Sequence, residues 1–420
     1  MKKLHILLFS ATLLMGTAHA QLRVEISGVG NNQIPVAIAA FADEGMAPQQ
    51  VSAIIRADLE RSGMFKVIDA RQAIPETAAV DYGAWKASGA DALVVGSVQK
   101  LADGRFAVRY KLYDTAKGGP LSSMSDAVQP EGTRLEAHRI ADDVYEKLTG
   151  VPGIFATRIA YVAQPVPGKQ WELNVADADG ENVIHAFRSR QPIISPAWSP
   201  DGTKVAYVSY HQQKPIIYVQ NLITGDVRLL SNQKGNNSAP AWSPDSRTIA
   251  MALSKDGNTE IYTIGADGSG LRRMTNSPAI DTEPRYSPDG QTIYFMSDRS
   301  GNAQIYKMSA SGGEATRLTF AGAQNFSPRI SPDGKTLAFI SQRSNVYSLY
   351  VMDLASGQEL RLADDAGEPS FAPNGKYIMY RTGSGGQRTL AVVSVDGRVK
   401  QRLSNQAGNI TEPSWGPFMK

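Results

Sequence analysis

No cysteine occurs among the 420 residues, which removes disulfides, thiolate metal sites and thiol nucleophiles at once. Histidine is nearly as scarce, and beyond residue 20 only His138, His185 and His211 remain. They fall on an expected helix, an outer strand and a loop, with neither metal-ligand spacing nor a general-base constellation. A Gly-x-Ser-x-Gly elbow, a P-loop and a dinucleotide fingerprint are all missing. The run DADGEN at 177–182 approaches a calcium loop, but the position two before Asp177 is Val175. The first ligand is therefore lacking, and a hairpin turn is the better reading. No catalytic residue, metal or cofactor is expected.

Long apolar runs are confined to the start of the chain. Lys2 and Lys3 precede an apolar stretch from Leu4 to Met15, and the small residues Ala18 and Ala20 follow. This is the pattern of a secretory signal peptide cleaved after Ala20. The stretch is shorter than the roughly 20 apolar residues a membrane span needs, and no cysteine follows to carry a lipid. Charge of one sign is also lacking: losing Lys2 and Lys3 with the leader turns 43 basic and 40 acidic residues into 41 against 40. Neither nucleic acid nor an anionic membrane surface is implied. An exported, soluble chain of this length can bury a core without disulfides.

What the chain has in abundance is a repeat. AWSPDG (197–202), AWSPDS (241–246), RYSPDG (285–290), RISPDG (329–334), FAPNG (371–375) and SWGPF (414–418) follow one another. Their prolines, Pro200, Pro244, Pro288, Pro332, Pro373 and Pro417, step by 44, 44, 44, 41 and 44 residues. Four short strand-like segments fill each unit, as in TIAMAL (248–253) and EIYTIG (260–265), which is the pattern of a β-propeller blade. Proline presets a turn, aspartate bonds its own backbone and glycine supplies a positive φ. Asp201, Asp245, Asp289 and Asp333 are thus turn formers, and Ser246, standing where the others have glycine, marks a hairpin that is slightly strained or of another type.

The array is incomplete at both ends in complementary ways. RIAYV (158–162), WELNVAD (171–177) and VIHAFR (183–188) supply second, third and fourth strands without a first, while EPSWGPF supplies a first with nothing after it. Joined, they complete a sixth blade and close the ring. Ahead of the array, strand patterns at 22–27, 35–41, 65–69, 92–101 and 105–114 alternate with helical patterns at 48–63 and 134–150, each helix ending at a glycine. The expected architecture is a small N-terminal α/β domain (21–150), a hinge at VPG (151–153) and a six-bladed β-propeller (151–420) closed by strands from both ends.

The loops entering each first strand, NNSAP (236–240), DTEP (281–284), NFSP (325–328), GEP (367–369) and ITEP (410–413), should ring one mouth of the channel. Asn236, Asn237, Thr282, Glu283, Glu368, Thr411 and Glu412 would converge on a polar, partly acidic rim. Each residue reads equally as a strand-entry cap; as a group they form a partner-docking surface. A channel that pockets a small molecule is a third reading. A hydrolase coupled to such a propeller would need a nucleophile elbow and a further large domain, and neither is present.

The signal peptide, the stretch DYGAWKASGADALVVGSV (81–98) and the SPDG array together resemble the TolB family, periplasmic components of the Tol-Pal system of Gram-negative bacteria. The resemblance spans the whole chain. It implies a non-enzymatic adaptor supporting outer-membrane integrity and envelope constriction at cell division. The propeller face would take the Pal lipoprotein, and colicins that imitate it, through Asn236, Ala239, Pro240, Thr282, Glu283 and Pro284. The mature N-terminus, QLRVEISGVG, would engage TolA through Gln21, Leu22, Arg23, Val24 and Ile26, whose alternation suits strand addition. On this reading Glu283→Lys or Thr282→Arg should abolish Pal binding without lowering stability.

Overall fold

A computed structural model of the chain describes residues 23–27, 33–383, 386–404 and 408–419. The expected leader, Gln21 and Leu22 lie outside these residues. Among the described residues no helix is long and apolar enough to cross a membrane.

The N-terminal domain is a five-stranded mixed sheet in the order 65–73, 34–40, 92–100, 106–114, 119–128. The first three strands are parallel and are joined through helices α1 (Val51–Arg61) and α2 (Tyr82–Ala87); a third helix, α3 (Thr133–Thr149), follows the sheet. The strands at 34–40 and 92–100 read as continuous apolar runs because both of their faces are covered. Val36, Ile38 and Val94 meet Val51, Ile55 and Leu59 of α1 and Ile140 and Val144 of α3 on one side. Ala37, Leu93 and Val95 meet Tyr82 and Trp85 of α2 on the other. Helix α3 ends where Gly150 takes φ 74° and returns its N–H to the Glu146 carbonyl.

Six sheets form the propeller. Asn409–Phe418 pairs with Thr157–Gln164, which pairs in turn with Trp171–Asp177 and Ile184–Ser189, so one blade is shared between the two ends of the array. The other blades span 193–231, 237–273, 281–317, 324–364 and 367–404. In the SPDG turns the serine and aspartate act together. Ser199 Oγ donates to Asp201 Oδ1 at 2.5 Å and accepts from Lys204 N at 2.9 Å, while Asp201 also accepts from Thr203 N at 2.9 Å. Gly202 sits at φ 71° and Ser246 takes the same left-handed backbone at φ 60°, a strain that a non-glycine residue carries at a cost of about 1 kcal/mol. Burial of Asp201 opposes ionisation, but the hydrogen bonds from Ser199 and Thr203 win and hold its carboxyl at about 2.

Two sequence expectations change. The strand Arg23–Ser27 was expected within the α/β domain; it instead lies antiparallel along Lys400–Ser404, the outer strand of the 367–404 blade, and makes that blade five-stranded. Alternation identifies a strand but not its neighbour, and an outer blade strand has a free edge to offer. The segment marked as a hinge is also pinned: Asp142 of α3 accepts from Phe155 N at 2.7 Å and Ala156 N at 3.0 Å, and Asn374 of the propeller donates to Pro152 O at 3.0 Å.

Candidate functional site: the channel mouth

The first strand of every blade is bent at the same place. Its register with the second strand slips between Ile194 and Ala197, Ser238 and Ala241, Thr282 and Arg285, Phe326 and Arg329, Gly367 and Ser370, and Thr411 and Ser414. Each slip is a β-bulge, and each contains a residue followed by proline. The residue before the proline is left-handed in all six: Ser195, Ala239, Glu283, Ser327, Glu368 and Glu412 have φ between 51° and 56°. Proline has no N–H to lose and so tolerates the interrupted ladder. The bulges turn this ring of residues into the channel, where they line a cavity of about 680 Å³.

Three glutamates of the ring link blade to blade. Glu283 accepts from Ser327 N, Glu368 Oε2 from Glu412 N at 2.7 Å, and Glu412 Oε2 from Ser195 N at 3.0 Å. Each carboxylate thus satisfies the N–H that the bulge of the next blade leaves without a ladder partner. Tryptophans add a second layer: Trp242 Nε1 donates to Ala197 O at 3.1 Å and Trp198 Nε1 to Ser414 O at 3.0 Å. Burial, with the Glu368 carboxylate beside it, pushes the Glu412 carboxyl well above the ordinary glutamate range.

This geometry sorts the loop residues. Ala239, Thr282, Glu283, Glu368 and Glu412 line the cavity. Pro240 and Pro284 are buried at the bulges. Asn237 is fully buried: its Oδ1 accepts from Ser231 Oγ at 2.7 Å and Gln233 N at 2.8 Å, and its Nδ2 donates to Gln233 O at 2.9 Å. Its side chain is a loop anchor, as are those of Asp281 and Asn325 at the same register, both fully buried. Asn236 is half-buried and bonds Ser238 Oγ at 2.8 Å; Thr411 is half-buried beside Glu412. Arg23, Val24 and Ile26 lie in the edge strand along Lys400–Ser404, away from this mouth.

Several cavity residues were not legible as such. Phe326 and Tyr347 make an edge-to-face pair with ring centres 5.8 Å apart, and Tyr347 stays 42% exposed at the rim. Arg381 holds Glu368 Oε1 at 3.0 Å. Arg285 and Arg329 face the cavity from adjacent blades; the only signal for them was their position directly after the bulge prolines Pro284 and Pro328.

Replacing Glu283 by alanine is expected to lower stability by about 1 to 3 kcal/mol, since the Ser327 N–H loses a charged acceptor. Thermal unfolding checks this, with Glu283→Gln expected to recover about half. The expectation that Glu283→Lys leaves stability unchanged is accordingly revised.

A second polar cluster lies between the domains. His138 of α3, for which the sequence offers neither metal-ligand spacing nor a general-base constellation, is 1% exposed and its Nδ1 lies 2.6 Å from Asp58 Oδ2. Asp58, His138 and Asp179 offer ligand atoms within 4.8 Å of one another, a spacing that would suit a metal. Cationic side chains already serve these carboxylates, however. Arg134 donates to Asp177 at 3.0 Å and to Asp179, and Arg61 pairs with Asp58 and lies 3.8 Å from Asp179. The cluster is an ion-pair network joining α1 and α3 to the DADGEN turn, where Gly180 N returns to Asp177 O at 2.8 Å.

Comparison with known proteins follows the same division. Residues 22–121 match the model of the TolB amino-terminal domain and residues 145–419 that of the TolB beta propeller domain. The chain is 64% identical over 404 residues to the Tol-Pal system protein TolB of Albidiferax ferrireducens, covering 96% of this chain and 95% of the relative. It is 64% identical over 407 residues to that of Polaromonas naphthalenivorans, covering 96% and 94%. The crystal structure of TolB from Acinetobacter baumannii superposes with a TM-score of 0.86 at 36% identity, over 94% of this chain and 100% of that one.

Proposed function

The chain belongs to the TolB family, periplasmic propeller proteins of the Tol-Pal system, and from that premise we propose that it is a non-enzymatic adaptor that docks Pal at the channel mouth and TolA at its mature N-terminus. The observation that carries the first half is the convergence of the six bulges on one open cavity of about 680 Å³, lined by half-buried Thr282 and by the aromatic pair Phe326 and Tyr347. A concave surface with an exposed aromatic and a polar rim suits a protein partner. Colicins that imitate Pal would compete for it, and the adaptor would serve outer-membrane integrity and constriction at division through these contacts.

In this reading TolA competes with Lys400–Ser404 for the backbone groups of Arg23–Ser27, because both are strand-addition partners of the same segment. Two variants of the mature chain test the pair of sites. Thr282→Arg is expected to abolish Pal capture from envelope extract with an unchanged melting temperature; retained capture would refute the surface. Deleting residues 21–30 is expected to abolish TolA capture while the propeller still melts cooperatively. Loss of the fold would instead make the segment structural.

A further inference from the structure

We propose that Arg285 and Arg329 form a carboxylate-binding site in the propeller channel. The repeat register isolates them. The position after the bulge proline is Ala197, Ala241, Arg285, Arg329, Ser370 and Ser414 in ring order. Four small residues leave room in this layer, and the two large cations occupy neighbouring blades.

Neither guanidinium forms a direct ion pair among the described residues. Arg285 Nη1 donates to Pro284 O at 2.8 Å and Pro240 O at 3.3 Å, and Arg329 Nη1 to Pro328 O at 2.8 Å. These bonds orient the planar groups and leave the remaining N–H donors without protein acceptors among the described residues. No carboxylate of those residues pairs with either one, although both line a cavity that also holds Glu283, Glu368 and Glu412. The glutamates are engaged elsewhere: Glu283 and Glu412 on backbone N–H groups, Glu368 on a backbone N–H and on Arg381. Burial and the neighbouring Arg329 cation pull the Arg285 guanidinium down to about 9 against the charges of Glu283 and Glu412, and burial lowers Arg329 as well against those of Glu283, Glu412 and Glu368. Two guanidinium groups on neighbouring blades, with no carboxylate hydrogen-bonded to either and spare donors lining the cavity, offer a place for an anion that bridges them.

A carboxylate fits the need. Its two oxygens match the guanidinium fork, and two forks can share one anion. Ile194, Phe326 and Tyr347, which line the same cavity, offer apolar contact for a short aliphatic stem. The carboxylate can belong to a free small diacid or to a Glu or Asp side chain at the tip of a docked polypeptide. The site goes beyond the adaptor reading, because its free-anion form needs no protein partner.

Calorimetric titration of the mature chain at low salt tests it, with glutarate as the free probe and acetyl-Gly-Glu-Gly-amide as the side-chain probe. Saturable binding of at least one probe is expected, weakened about tenfold in Arg285→Gln or Arg329→Gln and abolished in the double variant. Arg272→Gln, on an outer strand, should bind like the parent. The tighter probe identifies the source. Should the double variant not fold, the arginine side-chain NMR signals of the unaltered protein decide, since two of them must shift on titration. No binding of either probe, equal binding by the double variant, or unshifted arginine signals would overturn the site. Pal capture by the same unaltered protein, measured beside the titration, separates the two readings: probe binding without Pal capture leaves this site standing and refutes the docking surface, and Pal capture without probe binding does the reverse.

Discussion

A chain ending at residue 408 is expected not to form a closed propeller. The strand Asn409–Phe418 is the innermost strand of the shared blade, and its loss removes the pairing with Thr157–Gln164. It also removes the buried Ile410, at 1% exposure, and Trp415, whose Nε1 bonds Thr157 Oγ1 at 2.9 Å and whose N bonds Ser370 Oγ at 2.8 Å. The Glu412 link to Ser195 and the Ser414 acceptor of Trp198 disappear with it. Burial of the two large side chains alone contributes about 3 to 6 kcal/mol, and the exposed edge of 157–164 leaves further backbone groups unpaired. Against a total stability of about 5 to 15 kcal/mol, the ring should open. The measurement is near-ultraviolet circular dichroism with dye binding to exposed apolar surface. A synthetic peptide covering 408–420 should restore the parent signal, and a cooperative, dye-free truncated protein would contradict the closure.

That closure was legible because its cause is local. Each SPDG turn is made by residues within five of one another, so Pro200, Pro244 and their successors mark register without tertiary knowledge. The helices at 51–61 and 133–149 were legible for the same reason, from apolar spacing and terminal glycines. The partner of Arg23–Ser27 was not, since it lies at Lys400–Ser404, and alternation carries no information about a neighbour nearly four hundred residues away. The mouth residues were half legible. The loops were found, but each mixes an inward anchor such as Asn237 with a bulge residue such as Glu283, and the left-handed backbone that separates these roles has no glycine to announce it. Gly63 shows the contrary case: at φ 73° it sits against Val399, where an added Cβ would lie 3.0 Å from the valine methyl, and it was read only as a helix end.

His138 is the residue whose role the structure changes most, and removing its partner should have a large effect. Asp58→Ala leaves His138 and Arg61 without their shared carboxylate in a buried interface, which is expected to cost about 3 to 5 kcal/mol. The same cluster should make stability depend on pH. Burial favours the neutral imidazole, but the charges of Asp58 and Asp179 outweigh it and raise the His138 pKa, with Arg134 opposing; Asp177 and Arg61 complete its charged surroundings. A raised folded value means that stability is present below the unfolded value of about 6.5 and is lost as pH rises through the folded one. Asp142 on the same helix acts in the same direction over a lower window, because burial pushes its carboxyl up to about 7 and its contribution is lost between the usual carboxylate value and that one. The turn aspartates work on the acid side: Asp201, held at about 2, contributes above the usual carboxylate value and loses that contribution as pH falls toward 2. Melting temperature should therefore peak in mild acid and decline from pH 6 to pH 9. His138→Gln should melt lower at pH 6 and show a flatter decline above it. Parallel declines for the two proteins would place the alkaline sensitivity outside His138, and an Asp58→Ala variant as stable as the parent would dismiss the network as a source of interdomain stability.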